Sequence, residues 1–307
     1  MIFMTTSNSA KFDLHAFKGV FCPSITVSKD DGSIDYDSWA KHLDHLIDAG
    51  INGILIFGSI GEFYAYPLSV KKEAAKFAIE HVNHRVPVLI GVGSTNLNEV
   101  LDFTKFAESC GADAVVAVSP YYFGPTAPTA ERYFGPIANA TNLPVILYNF
   151  PARTGSDLTP SLVASLAKKY PNIVGIKDTV DTISHTRAMI EATRQSNPDF
   201  IVFSGFDEYY TPNRIAGGNG VICGLTNVEP ETFAALHKAY EAGDFAHLIE
   251  CAKRISHLMA VYNTTDLFIS AIKAAVNLKG LPISMLVREP ASQVNSEQIE
   301  AIRALLK

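Results

Sequence analysis

The sequence lacks the features that mark secreted, membrane-spanning and nucleic-acid-binding proteins. Its 307 residues include only four cysteines, which lie far apart and form neither a CxxC motif nor a zinc-binding spacing. No apolar run reaches the roughly 20 residues that a membrane-spanning helix needs. The net charge is −6 and no long run of like charge occurs, which argues against nucleic acid and anionic membranes as partners.

These absences predict an intracellular protein. The cysteines are interpreted as reduced thiols, because disulfides seldom persist in a reducing compartment. Residues 1–17 have no continuous apolar stretch and no cleavage site, so we expect no secretion signal there. We therefore expect the protein in the cytoplasm. The cysteines are Cys22, Cys110, Cys223 and Cys251.

Several catalytic and ligand-binding motifs are also missing. No GxGxxG opens the first helical segment, no lysine follows the glycine-bounded turn at residues 58–61 as in a P-loop, and no GxSxG nucleophile elbow occurs. Two histidine pairs, His42 with His45 and His81 with His84, have a spacing that could bind a metal ion from one helix face. These segments belong to the predicted outer helical layer, away from the strand ends, and no HExxH supports them. We therefore expect no metal.

Short apolar, β-branched runs alternate with helical patterns along most of the chain. The runs are apolar throughout rather than alternating, which is typical of parallel strands buried on both faces. The segment after the first run predicts a helix capped by Asp35 and ended by Gly50. The predicted strands are residues 19–22, 53–57, 86–90, 114–118, 144–148, 173–177, 200–204 and 220–223.

Eight such βα units predict an α/β fold, either a closed barrel or a doubly wound sheet. The number of units and the missing GxGxxG favour the barrel, a (β/α)8 TIM barrel with additional C-terminal helices. From about Pro230 onward the pattern is helical only, with room for two or three extra helices. We expect a single domain over residues 1–307, with the barrel at about 18–228 and a helical extension at about 229–307.

In a barrel, chemistry is expected at the carboxyl ends of the strands. Lys177 ends the sixth predicted strand, where an ammonium ion is poorly solvated, and desolvation lowers the pKa of a lysine. A neutral amine can attack a ketone and form an imine, which is an electron sink for breaking an adjacent C–C bond. The alternative is a strand-end lysine that reaches water or pairs with Asp178, and composition alone favours it.

Three other features near strand ends suit the same chemistry. Tyr148 ends the neighbouring strand, where a phenol can carry protons, although a core tyrosine is the simpler interpretation. The turn at residues 58–61 offers backbone N–H groups to a carboxylate, or is an ordinary tight loop. Arg153 can clamp a carboxylate through two parallel hydrogen bonds, or form a surface ion pair.

Together these segments resemble the dihydrodipicolinate synthase / N-acetylneuraminate lyase family of class I aldolases. GSIGEF resembles the family's G-(S/T)-x-G-E signature, and PYY, YNFPARTG, GIKD and SG-x-D follow in the family's order, within a match that runs from Lys18 to beyond Pro282. Five motifs in the same order are specific to the family. They favour a Schiff-base role for Lys177 over the interpretation as a strand-end lysine that reaches water or pairs with Asp178. The resemblance implies a Schiff-base enzyme that handles pyruvate and an aldehyde, needs no cofactor, and forms a homotetramer built as a dimer of dimers.

The resemblance also implies a role for each matching residue. Lys177 matches the Schiff-base lysine and Tyr148 the tyrosine that shuttles protons. Ser59 matches the relay hydroxyl, and Tyr122 the tyrosine that completes the relay from a neighbouring subunit. Glu62 is interpreted as structural. The positions expected to bind the substrate are Gly58, Ile60, Arg153, Gly205 and Ile222.

Departures from the family pattern bear on the substrate. Ile60 replaces a frequent second hydroxyl residue, so a carboxylate must rely more on Ser59 and on main-chain N–H groups. Asp178 after the lysine argues against N-acetylneuraminate lyase activity. Residues 262–267, YNTTDL, lack the EPNP-like segment of the lysine-pathway synthases. Arg153, in contrast, is typical of those synthases.

YNFPARTGSDLTP, RVPVLIGVG and GIKDT most resemble the branch that cleaves 2-keto-3-deoxy sugar acids such as 2-keto-3-deoxygluconate. The sequence therefore predicts a pyruvate-dependent lyase of such an acid. Three alternatives stay open: dihydrodipicolinate synthase, which joins pyruvate to aspartate semialdehyde, a 2-keto-3-deoxy acid dehydratase, and a non-catalytic sugar-acid binding protein.

Overall fold

The computed structural model describes residues 12–122 and 124–307, so residues 1–11, where no secretion signal is expected, lie outside this range. Eight parallel strands pair in sequence order and close into a barrel, which confirms the predicted TIM-barrel fold. The strands are β1 Gly19–Pro23, β2 Gly53–Ile56, β3 Val88–Gly91, β4 Ala114–Val118, β5 Val145–Asn149, β6 Ile173–Asp178, β7 Ile201–Ser204 and β8 Gly220–Ile222.

Each strand lies at its predicted place, and the bounds shift by two residues or fewer for local reasons. β2 stops one residue early because Phe57 adopts a left-handed backbone with φ 58°. β5 and β6 each run one residue further, because Asn149 and Asp178 continue the parallel pairing. This extension places Tyr148 and Lys177 just inside the strand ends, where the backbone is held by the sheet.

The helices lie outside the strands and continue beyond the barrel. In the described ranges they are α1 Tyr36–Ala49, α2 Leu68–Val82, α3 Leu97–Ser109, α4 Ala127–Asn139, α5 Pro151–Thr154, α6 Pro160–Lys169, α7 Ile183–Arg194, α8 Tyr210–Ile215, α9 Pro230–Ala242, α10 Phe245–Leu258, α11 Phe268–Leu278 and α12 Ser296–Leu305. None of these helices is both long and apolar enough to cross a membrane.

The capping prediction for α1 is confirmed. The Asp35 side chain accepts a hydrogen bond from the Ser38 N–H at 3.1 Å, and Gly50 ends the helix with φ 95°. Trp39 on this helix is fully buried, and its indole N–H donates to Ser24 Oγ at 3.0 Å. The core is continuous from the barrel interior to the layer between strands and helices.

The C-terminal segment completes the barrel and then folds over its mouth. Helix α9 packs against β1 and α1 as the outer helix that follows β8. Helices α10, α11 and α12 come after it, and α11 brings Phe268 to the carboxyl ends of the strands. The four cysteines are free in this structure.

Candidate active site

A lysine and a tyrosine from neighbouring strands face one cavity. Tyr148 and Lys177 are register partners on β5 and β6, and the side chain of each lies in the wall of a cavity of about 500 Å³ at the barrel mouth. Both residues are only 4% exposed. The Lys177 Nζ atom lies 4.1 Å from the centroid of the Tyr148 ring. The pairing of parallel strands therefore brings an enclosed amine against a phenol.

A serine hydroxyl extends this pair. Ser59 lies in the turn after β2, and its Oγ atom is 3.2 Å from the Tyr148 hydroxyl, with either group able to donate. A hydroxyl, a phenol and an amine thus follow one another along one wall of the cavity. Such a series can move a proton between solvent and a group held at the amine.

The turn that carries Ser59 is tightly built. The Glu62 N–H donates to the Ser59 carbonyl at 3.0 Å. A β-carbon on Gly61 would lie 3.1 Å from both the Phe57 nitrogen and the Ser24 carbonyl oxygen, so the turn packs against β1 through bare backbone. Ile60 lines the cavity.

The other predicted binding residues divide between the cavity wall and its support. Gly205, Ile222 and Arg153 line the cavity. A β-carbon on Gly205 would lie 1.9 Å from the Thr179 hydroxyl, so glycine is required there. Gly58 is not among the residues that line this cavity in the described part of the chain. It borders a small void behind Tyr148.

Arg153 lies between the main cavity and a second one of similar volume, about 500 Å³. Its guanidinium carbon lies 5.5 Å from the centroid of the Phe268 ring. The second cavity is mainly apolar and is bordered by Tyr121 and by Arg288 of the C-terminal segment. Two openings therefore meet at Ser59 and Arg153.

Tyr122 lies apart from these residues. Its side chain is 87% exposed, and its backbone is left-handed with φ 74°. The described residues that border the two cavities include the preceding tyrosine, Tyr121, but not Tyr122. The role of Tyr122 from a neighbouring subunit stays a prediction.

Several cavity residues were not predicted from the sequence. Three acidic residues, Asp181, Asp207 and Glu208, line the wall on the side of β6 and β7. They follow strand ends, so the rule that locates barrel chemistry in these loops could have found them. The cavity residues of the C-terminal segment show no sequence pattern that predicts their position, because tertiary packing brings them to the mouth of the barrel. They are Met259, Tyr262, Asn263 and Phe268.

Asp207 in the cavity wall has a raised pKa. Burial raises its pKa to about 6, and hydrogen bonds from the Leu225 N–H and the Tyr262 hydroxyl oppose this shift. These bonds measure 2.7 Å and 2.8 Å. Burial also raises the pKa of the neighbouring Cys223 thiol, so that thiol stays protonated at neutral pH.

A charged network supports the ends of β5 and β6 from outside the cavity. The Asn149 amide donates to Asp157 at 2.8 Å and to Asp178 at 2.9 Å. His185 lies 2.8 Å from Asp178 and 3.3 Å from Asp157. Hydrogen bonds to Asp157 and then Asp178 raise the pKa of His185 to about 10, against the opposing effect of burial. A protonated imidazole therefore joins the two carboxylates at neutral pH.

Replacing His185 with glutamine is expected to lower the free energy of unfolding at neutral pH by roughly 1–3 kcal/mol, because a charged hydrogen-bond donor to the buried Asp178 carboxylate and the exposed Asp157 carboxylate is lost. The folded pKa of about 10 lies above the ordinary value of 6.5, so this contribution is fully present below about pH 6.5 and is lost as the pH rises through about 10. The difference between wild type and variant thus shrinks as the pH rises from about 6.5 to about 10.

Urea unfolding at several pH values within that window measures this difference. The exposed His247→Gln variant is the control, and it should change little at any pH. A difference between wild type and His185→Gln that does not vary with pH would contradict the assignment.

The histidine pairs lie away from the cavity. His42 is buried, with its Nε2 atom 2.9 Å from the Asn227 amide oxygen, and His81 lies 2.9 Å from an Asp44 oxygen. Within residues 12–122 and 124–307, no group of three or more His, Cys, Asp or Glu side chains is placed to hold a metal ion. The absence of a metal requirement remains a prediction.

The fold and the site together define a class I lyase on a TIM barrel. The chain matches the dihydrodipicolinate synthetase family over residues 16–307, and it belongs to that family. This membership, together with the aldolase and lyase names of its relatives, makes it a class I lyase.

Similar proteins are named for two kinds of enzyme, aldolases of 2-dehydro-3-deoxy sugar acids and a 4-hydroxy-tetrahydrodipicolinate synthase. YagE of Escherichia coli K12, provisionally named a 2-dehydro-3-deoxy-D-gluconate aldolase, is 38% identical over 291 residues, covering 95% of this chain and 96% of YagE. YjhH of the same strain, provisionally named a 2-dehydro-3-deoxy-D-pentonate aldolase, is 36% identical over 290 residues, covering 94% and 96%. A 4-hydroxy-tetrahydrodipicolinate synthase of Methanosphaerula palustris is 36% identical over 296 residues, covering 94% and 98%.

A solved structure gives the same relationship in three dimensions. The crystal structure of YagE from E. coli K12 in complex with pyruvate superposes with a TM-score of 0.93 at 39% sequence identity. The match covers 94% of this chain and 97% of the YagE chain.

Proposed function

We propose that the protein cleaves a 2-keto-3-deoxy sugar acid into pyruvate and an aldehyde through a Schiff base on Lys177. The observation that carries this proposal is the series Lys177, Tyr148 and Ser59. Its enclosed amine lies 4.1 Å from a tyrosine ring, whose hydroxyl lies 3.2 Å from a serine hydroxyl. An amine beside a proton relay is the minimum that imine chemistry requires.

Imine formation is the first step. The Lys177 amine attacks the C2 carbonyl, and the resulting carbinolamine loses water to leave a protonated imine. Tyr148 is placed to give a proton to the departing oxygen and to regain it through Ser59. The substrate carboxylate is assigned to the turn at residues 58–60, where Ser59 and main-chain N–H groups are the donors.

Cleavage of the C3–C4 bond follows from the imine. A base removes the proton of the C4 hydroxyl, the bond breaks, and its electron pair moves to the imine nitrogen as an enamine forms. The aldehyde leaves, C3 gains a proton, and water hydrolyses the imine to release pyruvate. Because the protonated imine is the electron sink, the reaction needs no metal or organic cofactor.

The charges in the cavity support a neutral, hydroxylated aldehyde. Asp181 and Glu208 line one wall, and carboxylates accept hydrogen bonds from hydroxyl groups while repelling an anionic tail. The names of YagE and YjhH agree with this choice, as both refer to cleavage of 2-dehydro-3-deoxy sugar acids. Pyruvate bound to YagE supports pyruvate as the fragment held at the lysine.

Condensation of pyruvate with aspartate semialdehyde is the second candidate. Arg153 favours it, because a guanidinium in the cavity wall can bind the carboxylate of that aldehyde. The relative from M. palustris is named a 4-hydroxy-tetrahydrodipicolinate synthase. Dehydration of a 2-keto-3-deoxy acid through the same imine is a further possibility, since it breaks a C–O bond in place of the C–C bond.

Substrate panels separate these reactions. We expect pyruvate release from 2-keto-3-deoxygluconate or the corresponding pentonate, measured with lactate dehydrogenase and NADH, and no cyclic product from pyruvate with aspartate semialdehyde. Mass spectrometry of the same mixtures distinguishes cleavage from loss of water. Cyclic product without pyruvate release from any sugar acid would overturn the proposal.

We also propose a homotetramer in the cytoplasm. The exposed Tyr122 side chain in the loop after β4 supports a neighbouring subunit there, and the free cysteines agree with a reducing compartment. Sedimentation velocity measures the assembly, and a monomer at micromolar concentration would exclude it.

A further inference from the structure

A buried ion pair joins the serine turn to the C-terminal helices. The Glu62 carboxylate lies 2.5 Å from the Lys273 ammonium, and neither side chain is exposed to solvent. Glu62 follows Ser59 in the turn after β2, whereas Lys273 lies in the middle of α11. The two charged groups therefore connect two walls of the active-site cavity from behind.

Both charges are anchored by further contacts. The second carboxylate oxygen of Glu62 accepts a hydrogen bond from the main-chain N–H of Arg288 at 2.8 Å. Lys273 Nζ donates to the Leu286 carbonyl at 2.7 Å. Burial lowers the pKa of Lys273, and the nearby Glu62 carboxylate opposes this shift. The pair thus holds the turn, α11 and residues 286–288 together.

The conformation of Glu62 indicates that its side chain is needed. Its backbone is left-handed with φ 56°, a region that a β-carbon disfavours and that glycine or asparagine occupies more readily. A glutamate at this position is useful when its carboxylate reaches a fixed partner. Its N–H also donates to the Ser59 carbonyl at 3.0 Å, so a shift of Glu62 is transmitted to the serine.

We propose that the Glu62–Lys273 ion pair positions Ser59 against Tyr148 by holding the serine turn against α11. Neither residue lines the main cavity, so both act through Ser59 rather than on the substrate. The inference rests on the proposed function, because it takes Ser59 and Tyr148 as the groups that move protons at the imine.

Deuterium exchange into pyruvate tests this role without an aldehyde. An enamine on Lys177 exchanges the methyl protons of pyruvate with D₂O, and the exchange rate, read by proton NMR, reports the proton relay. Trapping with borohydride after equilibration with pyruvate, read by mass spectrometry as the labelled fraction of enzyme, reports how much imine is present. The ratio of exchange rate to labelled fraction therefore isolates proton transfer from the amount of folded, imine-forming enzyme.

The ratio is compared in Glu62→Gln, Lys273→Met and the double variant. We expect it to fall by about tenfold or more in all three, as a misplaced hydroxyl loses part of the usual benefit of acid–base catalysis. The double variant removes both buried charges at once, which restores folding where one unpaired charge prevents it. A pair that serves stability alone would leave the ratio unchanged in the double variant.

Glu229→Gln is the matched control. Glu229 is a buried carboxylate that pairs with Arg254 at 2.5 Å and with Lys279 at 3.2 Å, and it does not border the main cavity. This variant should melt at a lower temperature with an unchanged ratio. A ratio within about twofold of wild type in the double variant overturns the inference, whereas wild-type protein that traps no pyruvate overturns the proposed function instead.

Discussion

Reduction with borohydride in the presence of pyruvate is expected to attach a stable three-carbon group to Lys177. The amine of Lys177 is enclosed at the end of β6 and borders the cavity, so it can meet a carbonyl carbon there. A Lys177→Ala variant should carry no label and show no cleavage above background, because the electron sink is lost with the amine. Peptide mapping by mass spectrometry identifies the labelled residue.

Lys71→Ala provides the matched control. Lys71 in α2 is also 4% exposed, and its ammonium lies 5.6 Å from the centroid of the Phe103 ring, away from both cavities. Burial alone should not make a lysine reactive, so this variant should label at Lys177 like wild type. Label on another lysine, or persistent label in Lys177→Ala, contradicts the mechanism.

Substitution of Tyr148 by phenylalanine is expected to leave imine formation measurable while turnover falls by roughly 10²-fold or more, the usual scale of general acid–base catalysis. The phenyl ring still fills the space beside Lys177, but the hydroxyl that lies 3.2 Å from Ser59 Oγ is missing. Steady-state turnover and borohydride trapping, measured on the same preparation, separate the two effects.

Tyr133→Phe controls for the loss of a buried tyrosine hydroxyl. Tyr133 donates to the Ser94 carbonyl at 3.1 Å and is buried, yet it does not border the main cavity. This variant should keep wild-type turnover with a modest loss of stability of about 1 kcal/mol. Unchanged turnover in Tyr148→Phe would refute the proton-carrying role of Tyr148.

The pattern of the chain was sufficient to predict the barrel. Apolar β-branched runs and helix caps depend on neighbours within a few residues. The local sequence therefore predicted the eight strands and the capping of α1 by Asp35. The strand ends differ from the prediction by up to two residues, because the last residue of a strand is set by its pairing with the neighbouring strand. Asn149 and Asp178 show this, since each extends its strand by pairing with the other.

Part of the site also followed from local pattern. Parallel strands in a barrel end at one edge, so Tyr148 and Lys177 had to lie near each other once the fold was known. Ser59 follows another strand end and lies within reach of the same tyrosine. The strand order therefore brought the amine and the phenol together, and the turn after β2 added the hydroxyl.

The remainder depended on packing between segments far apart in sequence. Tyr262 and Phe268 reach the cavity only because the helices after the barrel fold over its mouth, and no periodicity encodes that contact. The pKa of Asp207 and that of His185 likewise depend on burial and on charges from other elements. Short-range patterning thus determined which catalytic groups are available. Tertiary burial and long-range contacts decided the shape of the cavity and the pKa values of its groups, because these properties arise only when residues distant in sequence pack into one low-dielectric interior.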